Sequence, residues 1–166
     1  MNKKQFFIIM ILLIPFLVKG QRHSVFIQGD IRFSDSSLSV QEAGLNVTSS
    51  IHSEKTVLVS VEYTGSPENN PNYNWRVYVH MQDIEWDDSF RLEIKRTGSG
   101  RNKNNAGNPN INDGQVFQEL THTPTLFFRG KGEIVDIPLA LTISGYSVTM
   151  GGGEFESGLV FTVYDN

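Results

Sequence analysis

The sequence contains no cysteine among its 166 residues. This absence excludes a disulfide scaffold, an iron–sulfur cluster, a zinc site with cysteine ligands and a thiol nucleophile. A noncovalent core must therefore hold the chain together. Hydrophobic residues make up 39% of the sequence, and eleven Phe, five Tyr and two Trp provide bulky side chains for such a core. The length corresponds to one globular domain.

Long hydrophobic runs are also absent, apart from one near the start of the chain. Residues 6–18 are apolar and have lysines on both sides. As a helix, this run would cover about 20 Å of a hydrocarbon layer about 30 Å thick, so it is short for a membrane span. The pattern is typical of a secretory signal peptide, and an uncleaved anchor is the alternative. We predict a signal peptide over residues 1–20, a domain over residues 21–166, and no transmembrane span after processing.

Positive charge is in short supply. The chain has 14 basic and 18 acidic residues, a net charge of −4, and the loss of residues 1–20 removes three lysines and no acid. The processed chain would then carry a net charge of about −7 at neutral pH. Nucleic acids and anionic membranes are bound through clustered Lys and Arg. We therefore expect neither as a partner.

Helical periodicity is hard to find, whereas apolar residues recur at every second position in many short segments. This alternation predicts strands with one buried face. It is clearest over residues 57–63, 75–81, 90–94, 135–143 and 159–163. Weaker candidates cover residues 25–33, 38–40, 45–47, 115–120, 126–128 and 146–150. Because Gly, Pro, Asn and Ser separate these segments, we predict an all-β fold, a single immunoglobulin-like antiparallel β-sandwich, with a jelly roll or a barrel as the alternative.

The segment 98–114 differs in composition from the rest of the domain. It contains six Asn and four Gly, and Ile111 is its one apolar side chain of any size. Little surface is available to offset the entropy of ordering it. We predict a long, mobile Asn/Gly-rich loop, which is either a binding loop or a plain excursion of the chain.

An acidic cluster surrounds Trp86 and consists of Asp83, Glu85, Asp87 and Asp88. Carboxylate oxygens are ligands that Ca²⁺ prefers, and a carboxylate pair can also serve as acid and base in glycoside hydrolysis. The simpler interpretation is a turn between two strands with solvated carboxylates. We expect no cofactor, with Ca²⁺ at this cluster as the alternative.

The remaining chemistry-bearing residues give no catalytic pattern. His23, His52, His80 and His122 are scattered without the short spacings of metal-ligand pairs, so we expect them on the surface. The sequence also lacks a G-x-S-x-G nucleophile elbow. We therefore expect a protein without enzymatic activity.

Three aromatic residues are candidates for contact with sugars. Tyr78 falls on the polar face of its predicted strand, while Tyr73 and Trp86 lie near strand ends. Exposed aromatic rings can stack on carbohydrate, although core packing and cross-strand pairing account for such residues equally well. A carbohydrate platform formed by these residues is the second hypothesis for the site.

The segment 25–33 is a strand candidate in which apolar residues alternate around a central glycine. Its alternating positions are Val25, Ile27, Gly29, Ile31 and Phe33. Together with Ile137-Pro138-Leu139, residues 144–148 and residues 159–163, it resembles pilin-like and spore-coat-type immunoglobulin-like subunits of bacterial envelopes. The resemblance implies that these five residues bind a partner by strand exchange, entering a neighbour's sheet. A self-contained first strand is the alternative.

These observations rank three functional hypotheses. The first is a secreted or cell-surface protein that acts by protein contacts, either with a partner or with copies of itself, as an adhesion, coat or fibre-type subunit. The second is a carbohydrate-binding module, with or without Ca²⁺. The third is a glycan-processing enzyme. Export predicts a place in the periplasm, on the outer-membrane surface or outside the cell.

Overall fold

The computed structural model describes residues 22–29, 31, 33, 50–53, 56–64, 73–86, 88–103, 108–145 and 156–166, with the backbone alone for residues 83–85. These residues form eleven strands and no helix. The strands are β1 (His23–Gln28), β2 (Ile51–His52), β3 (Val57–Tyr63), β4 (Asn74–Glu85), β5 (Arg91–Arg96), β6 (Arg101–Asn102), β7 (Asn110–Asn112), β8 (Gln118–Glu119), β9 (Thr125–Lys131), β10 (Ile134–Ser144) and β11 (Glu156–Asp165).

The strands form two antiparallel sheets that pack face to face. The larger sheet has the order β1-β3-β10-β5-β8, and β2 and β6 also pair with β10. The smaller sheet has the order β11-β4-β9-β7. The prediction of an all-β sandwich is confirmed, and the described residues form no closed barrel. Within the same ranges, we find no helix with the length and apolar character that a membrane crossing needs.

The two-residue alternation located the long strands well. β3 occupies the predicted residues 57–63, and β4, β5, β10 and β11 overlap the other four clear predictions. β4 is longer than predicted and continues to Glu85, because it pairs with β11 over most of its length. The predicted strands 38–40, 45–47 and 146–150 lie outside the described residues.

The inner faces of the two sheets form one hydrophobic core. Its buried side chains include Val57, Val59, Val61, Leu92, Ile94, Ile137, Leu139, Leu141 and Ile143 from the larger sheet, and Trp75, Val77, Val79, Met81, Phe127, Phe128 and Val163 from the smaller sheet. β-branched and aromatic residues pack well on such pleated, buried surfaces. The core therefore joins β3, β5 and β10 to β4, β9 and β11.

Trp75 is the largest fully buried side chain of this core. Its indole N–H donates a hydrogen bond to the carbonyl of Gly132 at 2.6 Å, and its ring meets Phe128 edge to face at 6.0 Å. Gly130 lies directly across from Trp75 on β9. A Cβ atom at Gly130 would overlap the indole ring, so the indole can lie over this point of β9 only because the residue there is glycine.

A bulge in β10 changes which residues face the core. Asp136 has a positive φ of 57°, and the pairing of β10 with β3 shifts between Ile134 and Ile137. The predicted alternation from Val135 to Ile143 therefore holds from Ile137 onward. Before the bulge, Ile134 joins the core cluster, whereas Val135 is buried, at 5% exposure, but lies outside that cluster. An extra residue in one strand reverses the alternation on either side of it.

Arg96 anchors the Asn/Gly-rich segment that follows β5. Its side chain is buried, and its guanidinium donates hydrogen bonds to the carbonyls of Asp113 and, at 3.2 Å, of Gly98. Burial lowers the pKa of Arg96, and the neighbouring carboxylate of Asp113 opposes that effect. The guanidinium stays protonated and supplies donors to both ends of the segment.

The described residues of this segment, 98–103 and 108–114, are more ordered than the composition suggested. They include β6 and β7, and Ile111 on β7 is buried in the core. Residues 104–107 lie outside the described residues. Composition did not reveal this order, because it comes from partners outside the segment: Arg96 donates to the carbonyls of Gly98 and Asp113, and β6 and β7 pair with β10 and β9.

Replacing Gly130 with alanine should destabilise the protein. The added methyl group overlaps the fixed indole of Trp75, and overpacking of this kind costs about 1–3 kcal/mol. Urea unfolding followed by tryptophan fluorescence measures the loss. Gly158→Ala on β11 is the matched control, since a Cβ there would find its nearest atoms at 3.5 and 3.7 Å. Equal stability of the two variants would contradict the conclusion that the Trp75 indole needs a glycine beneath it.

Arg96→Met should loosen the segment 97–114 more than it loosens the core. The substitution keeps much of the buried side-chain volume but leaves two carbonyls without their donor, at a cost of about 1–3 kcal/mol. Hydrogen exchange should accelerate in residues 97–103 and 108–114. Arg101→Met is the control, because its ion pair with Asp136 at 2.6 Å is exposed and such pairs contribute about 0–1 kcal/mol. Unchanged exchange in Arg96→Met would show that the anchor is unimportant.

Candidate functional site

The first strand forms one edge of the larger sheet. All six residues of β1 pair antiparallel with β3, from His23 opposite Tyr63 to Gln28 opposite Leu58. Within the described ranges no strand pairs with the other edge of β1. A strand in this position presents unpaired backbone N–H and C=O groups to the outside.

Two apolar side chains are exposed on β1. Phe26 is 52% exposed and Ile27 is 48% exposed. Ile27 lies opposite the fully buried Val59, so it belongs to the inner face of the sheet. An inner-face residue exposed to this degree means that the opposite sheet does not cover the core at this point.

The other end of β1 is closed by a polar cluster. The carboxylate of Asp165, near the end of β11, accepts hydrogen bonds from the backbone N–H of Arg22 and from Nδ1 of His23. His23 is fully buried and meets the ring of Tyr63 edge to face at 5.5 Å. The cluster therefore ties the edge strand of one sheet to the edge strand of the other.

This burial corrects the expectation that the histidines lie on the surface. His52 and His122 are exposed and His80 is partly buried, but His23 has no exposed surface. Its Nε2 atom has no partner among the described residues. The residue is accommodated because Asp165 supplies an acceptor that is 142 positions away in sequence.

β1 and β11 lie side by side along this flank of the sandwich. Four inner-face residues on this flank are covered only in part by the core: Val25 and Ile27 from β1, and Leu159 and Phe161 from β11. We call the strip between the two strands the lateral slot and define it by these four residues. The slot is apolar, and the Asp165 cluster closes one of its ends.

The outer edges of the sandwich differ in their protection against pairing. β8 has two residues and β7 has three, and β11 carries Glu156, Gly158 and Asp165. Short length and charged residues are common ways to protect an edge. β1 has six residues and contains no Lys, Arg, Asp, Glu or Pro. Among the described edge strands, β1 therefore has the least protection.

The residues predicted for strand exchange do not form one continuous strand. β1 begins at His23 and ends at Gln28, and Gly29 has a positive φ of 110°. Val25, Ile31 and Phe33 pack against the core of their own chain, while Ile27 is half-exposed. Exchange of this segment with a neighbour stays a prediction.

The three aromatic residues predicted for carbohydrate binding are not brought together. Tyr73 stacks on Tyr63 at 6.1 Å, and Trp86 meets Phe90 edge to face at 5.4 Å. Tyr73 precedes β4 and Trp86 follows it, so about 40 Å of extended strand separates them. Tyr78 lies near the middle of β4 and contacts a different residue, Tyr164.

The acidic cluster lies largely outside what the structure describes. Asp83 and Glu85 occupy the end of β4, where they pair with Ser157 and Glu156 of β11, so this part of the predicted turn is strand. Their side chains and Asp87 are not among the described residues, and Asp88 lies in an exposed turn. In the described part of the chain, no three His, Cys, Asp or Glu residues are grouped to hold a metal ion. Calcium binding stays untested.

Two features of this site escaped the sequence analysis. Asp165 continues the inner-face alternation of Leu159, Phe161 and Val163, so an acidic residue at that position required a buried partner. The lack of charge in β1 was equally visible, but the sequence did not show which strand occupies an edge. The acidic Asp165 and the uncharged β1 point to a site only once the strand order shows that β1 and β11 are edge strands.

Comparison of the chain with protein-family models, with curated proteins and with solved structures found no match. The resemblance to pilin-like subunits therefore stays a prediction.

Replacing Asp165 with alanine should destabilise the protein by about 1–3 kcal/mol. The buried His23 and the Arg22 amide would lose their acceptor, and an unpaired buried polar group has a cost of this size. Hydrogen exchange should accelerate in β1 and at the end of β11. Asp88→Ala removes the same atoms from an exposed turn and serves as the control. The interpretation fails if both variants unfold at the same urea concentration.

Proposed function

We propose that the protein is an exported, non-catalytic β-sandwich subunit that associates with copies of itself through the edge of β1. The signal-peptide pattern of residues 1–20 supports the export part of the proposal. The exposed and uncharged edge of β1 supports self-association, and this is the observation that carries the proposal. We place such an exported, self-associating subunit in the coat of a bacterial envelope.

Strand addition is the mode of contact that this edge favours. A second strand would satisfy the unpaired backbone groups of β1 and would cover Phe26 from outside. Its side chains on the inner side would enter the lateral slot beside Ile27. Backbone pairing and apolar burial then act at the same place.

A second copy of the chain is the simplest source of that strand. Two β1 strands can pair antiparallel about a two-fold axis, so each copy offers and receives the same surface. The six residues of β1 carry no charge that would oppose this arrangement. Such pairing joins the larger sheets of two copies into one continuous sheet.

Single cysteines along β1 should reveal the pairing register. The chain has no cysteine of its own, so positions 24–28 can be changed to cysteine one at a time without background. Opposed residues of antiparallel strands have Cα atoms about 4.5–5.5 Å apart, which a disulfide can bridge. We expect rapid cross-linking of the exported protein at one position, or at two adjacent positions, nearest the two-fold axis. Equal cross-linking at every position, or at none, would overturn the proposal.

A charge on the edge should break the association. Ile27→Lys places an ammonium group where a partner strand would lie, so we expect the dimer dissociation constant in sedimentation equilibrium to rise at least about tenfold. Val116→Lys, at an apolar residue that is 80% exposed elsewhere, is the control and should leave it unchanged. A wild-type protein that stays monomeric at about 1 mM would refute self-association.

Addition and exchange can be separated with a paired variant. Phe26 lies opposite Ser60 of the same chain. With cysteine at both positions, a disulfide within one chain indicates that β1 stays in its own sheet, as strand addition requires. A disulfide that joins position 26 of one chain to position 60 of another, identified by peptide mapping, would overturn addition in favour of exchange, whereas a bridge between two copies of position 26 is compatible with addition.

A further inference from the structure

A second candidate surface lies on the outer face of the smaller sheet. Arg76 and Tyr78 on β4, Tyr164 on β11, Pro124 before β9 and Asn166 after β11 line a shallow groove of about 360 Å³. The groove shares no residue with the lateral slot. A ligand in this groove would therefore not compete with the proposed self-association.

Two tyrosines form the aromatic part of this groove. The rings of Tyr78 and Tyr164 meet edge to face at 5.4 Å, and Tyr164 is 56% exposed. Neither hydroxyl has a hydrogen-bond partner among the described residues. An exposed ring with an unpaired hydroxyl at its tip offers an apolar face for stacking and a polar group beside it.

Arg76 gives the groove an unbalanced positive charge. It lies directly opposite Arg129 on β9, and like charges in that position destabilise a sheet. Arg129 is paired with Asp113 at 2.8 Å, whereas Arg76 has no anionic partner among the described residues. An anionic ligand group would relieve the repulsion, and the planar guanidinium matches a carboxylate through two parallel hydrogen bonds.

We propose that this groove binds a carboxylate-bearing sugar, such as a uronate unit of an acidic polysaccharide. The Tyr164 ring stacks on the apolar face of the sugar, and Arg76 pairs with its carboxylate. Asn166 and the two tyrosine hydroxyls supply hydrogen bonds to sugar hydroxyls. The open, shallow shape suits one or two units of a long chain that passes over the sheet.

Calorimetric titration of the exported protein with tri-galacturonate tests the proposal, and maltotriose is the neutral trisaccharide of the same length. We expect measurable binding of the uronate alone, weakening as salt rises because the contact is ionic. Arg76→Gln should raise the dissociation constant at least about tenfold, the loss expected for one charge-assisted pair. Tyr164→Ala should weaken binding as well, because it removes the stacking ring, whereas Tyr164→Phe, which keeps the ring, should retain most of the affinity.

Controls isolate the groove from folding and from self-association. Arg76 and Tyr164 are exposed, so thermal unfolding of their variants should match the wild type. Arg101→Gln, at an exposed arginine of the other sheet, should bind the uronate normally, and so should Ile27→Lys. Equal binding of maltotriose, tighter binding of its sulfated form, or full binding by Arg76→Gln would each overturn the assignment of a carboxylate sugar.

Discussion

The insertion of the Trp75 indole between the two sheets is the constraint on which the rest of the structure depends. The ring fills the space above Gly130, and its N–H donates to the carbonyl of Gly132, so the position of the indole over β9 is fixed at this point. Neighbouring residues on β4 then face alternately into the core and outward. The outward row carries Arg76 and Tyr78, so the same packing that closes the core also positions the outer groove.

The two flanks of the sandwich are closed by different means. Arg96 fixes the segment after β5 by donating to the carbonyls of Gly98 and Asp113, while β6 and β7 pair with β10 and β9. On the flank where β1 and β11 meet, the Asp165 carboxylate closes one end. Beyond it, Ile27 stays half-exposed on an uncharged strand. Among the described edge strands, β1 therefore combines an open backbone edge with two exposed apolar side chains.

The sequence predicted what depends on local pattern and missed what depends on pairing. Strand β3 and the sandwich class followed from alternation, because a one-sided strand must bury its apolar face whatever its partner is. The sequence pattern did not reveal that the alternation of β10 changes phase at Asp136, since a bulge is set by contacts with the neighbouring strand. The groove was out of reach for the same reason. The alternation identified Tyr78 as an outward-facing candidate for sugar contact, but only the register of β4 with β11 brings Tyr164 beside it.

The position of β10 at the centre of the larger sheet determines the order in which the chain can be completed. The amide of Asp136 reaches the hydroxyl of Ser60 across 76 positions, and the hydroxyl of Thr142 reaches the carbonyl of Ile51 across 91. Closing such distant contacts is slow. Until β10 emerges from the ribosome or the translocation channel, β3 and β5 have no strand between them. The larger sheet thus stays incomplete until this late segment joins β3 to β5.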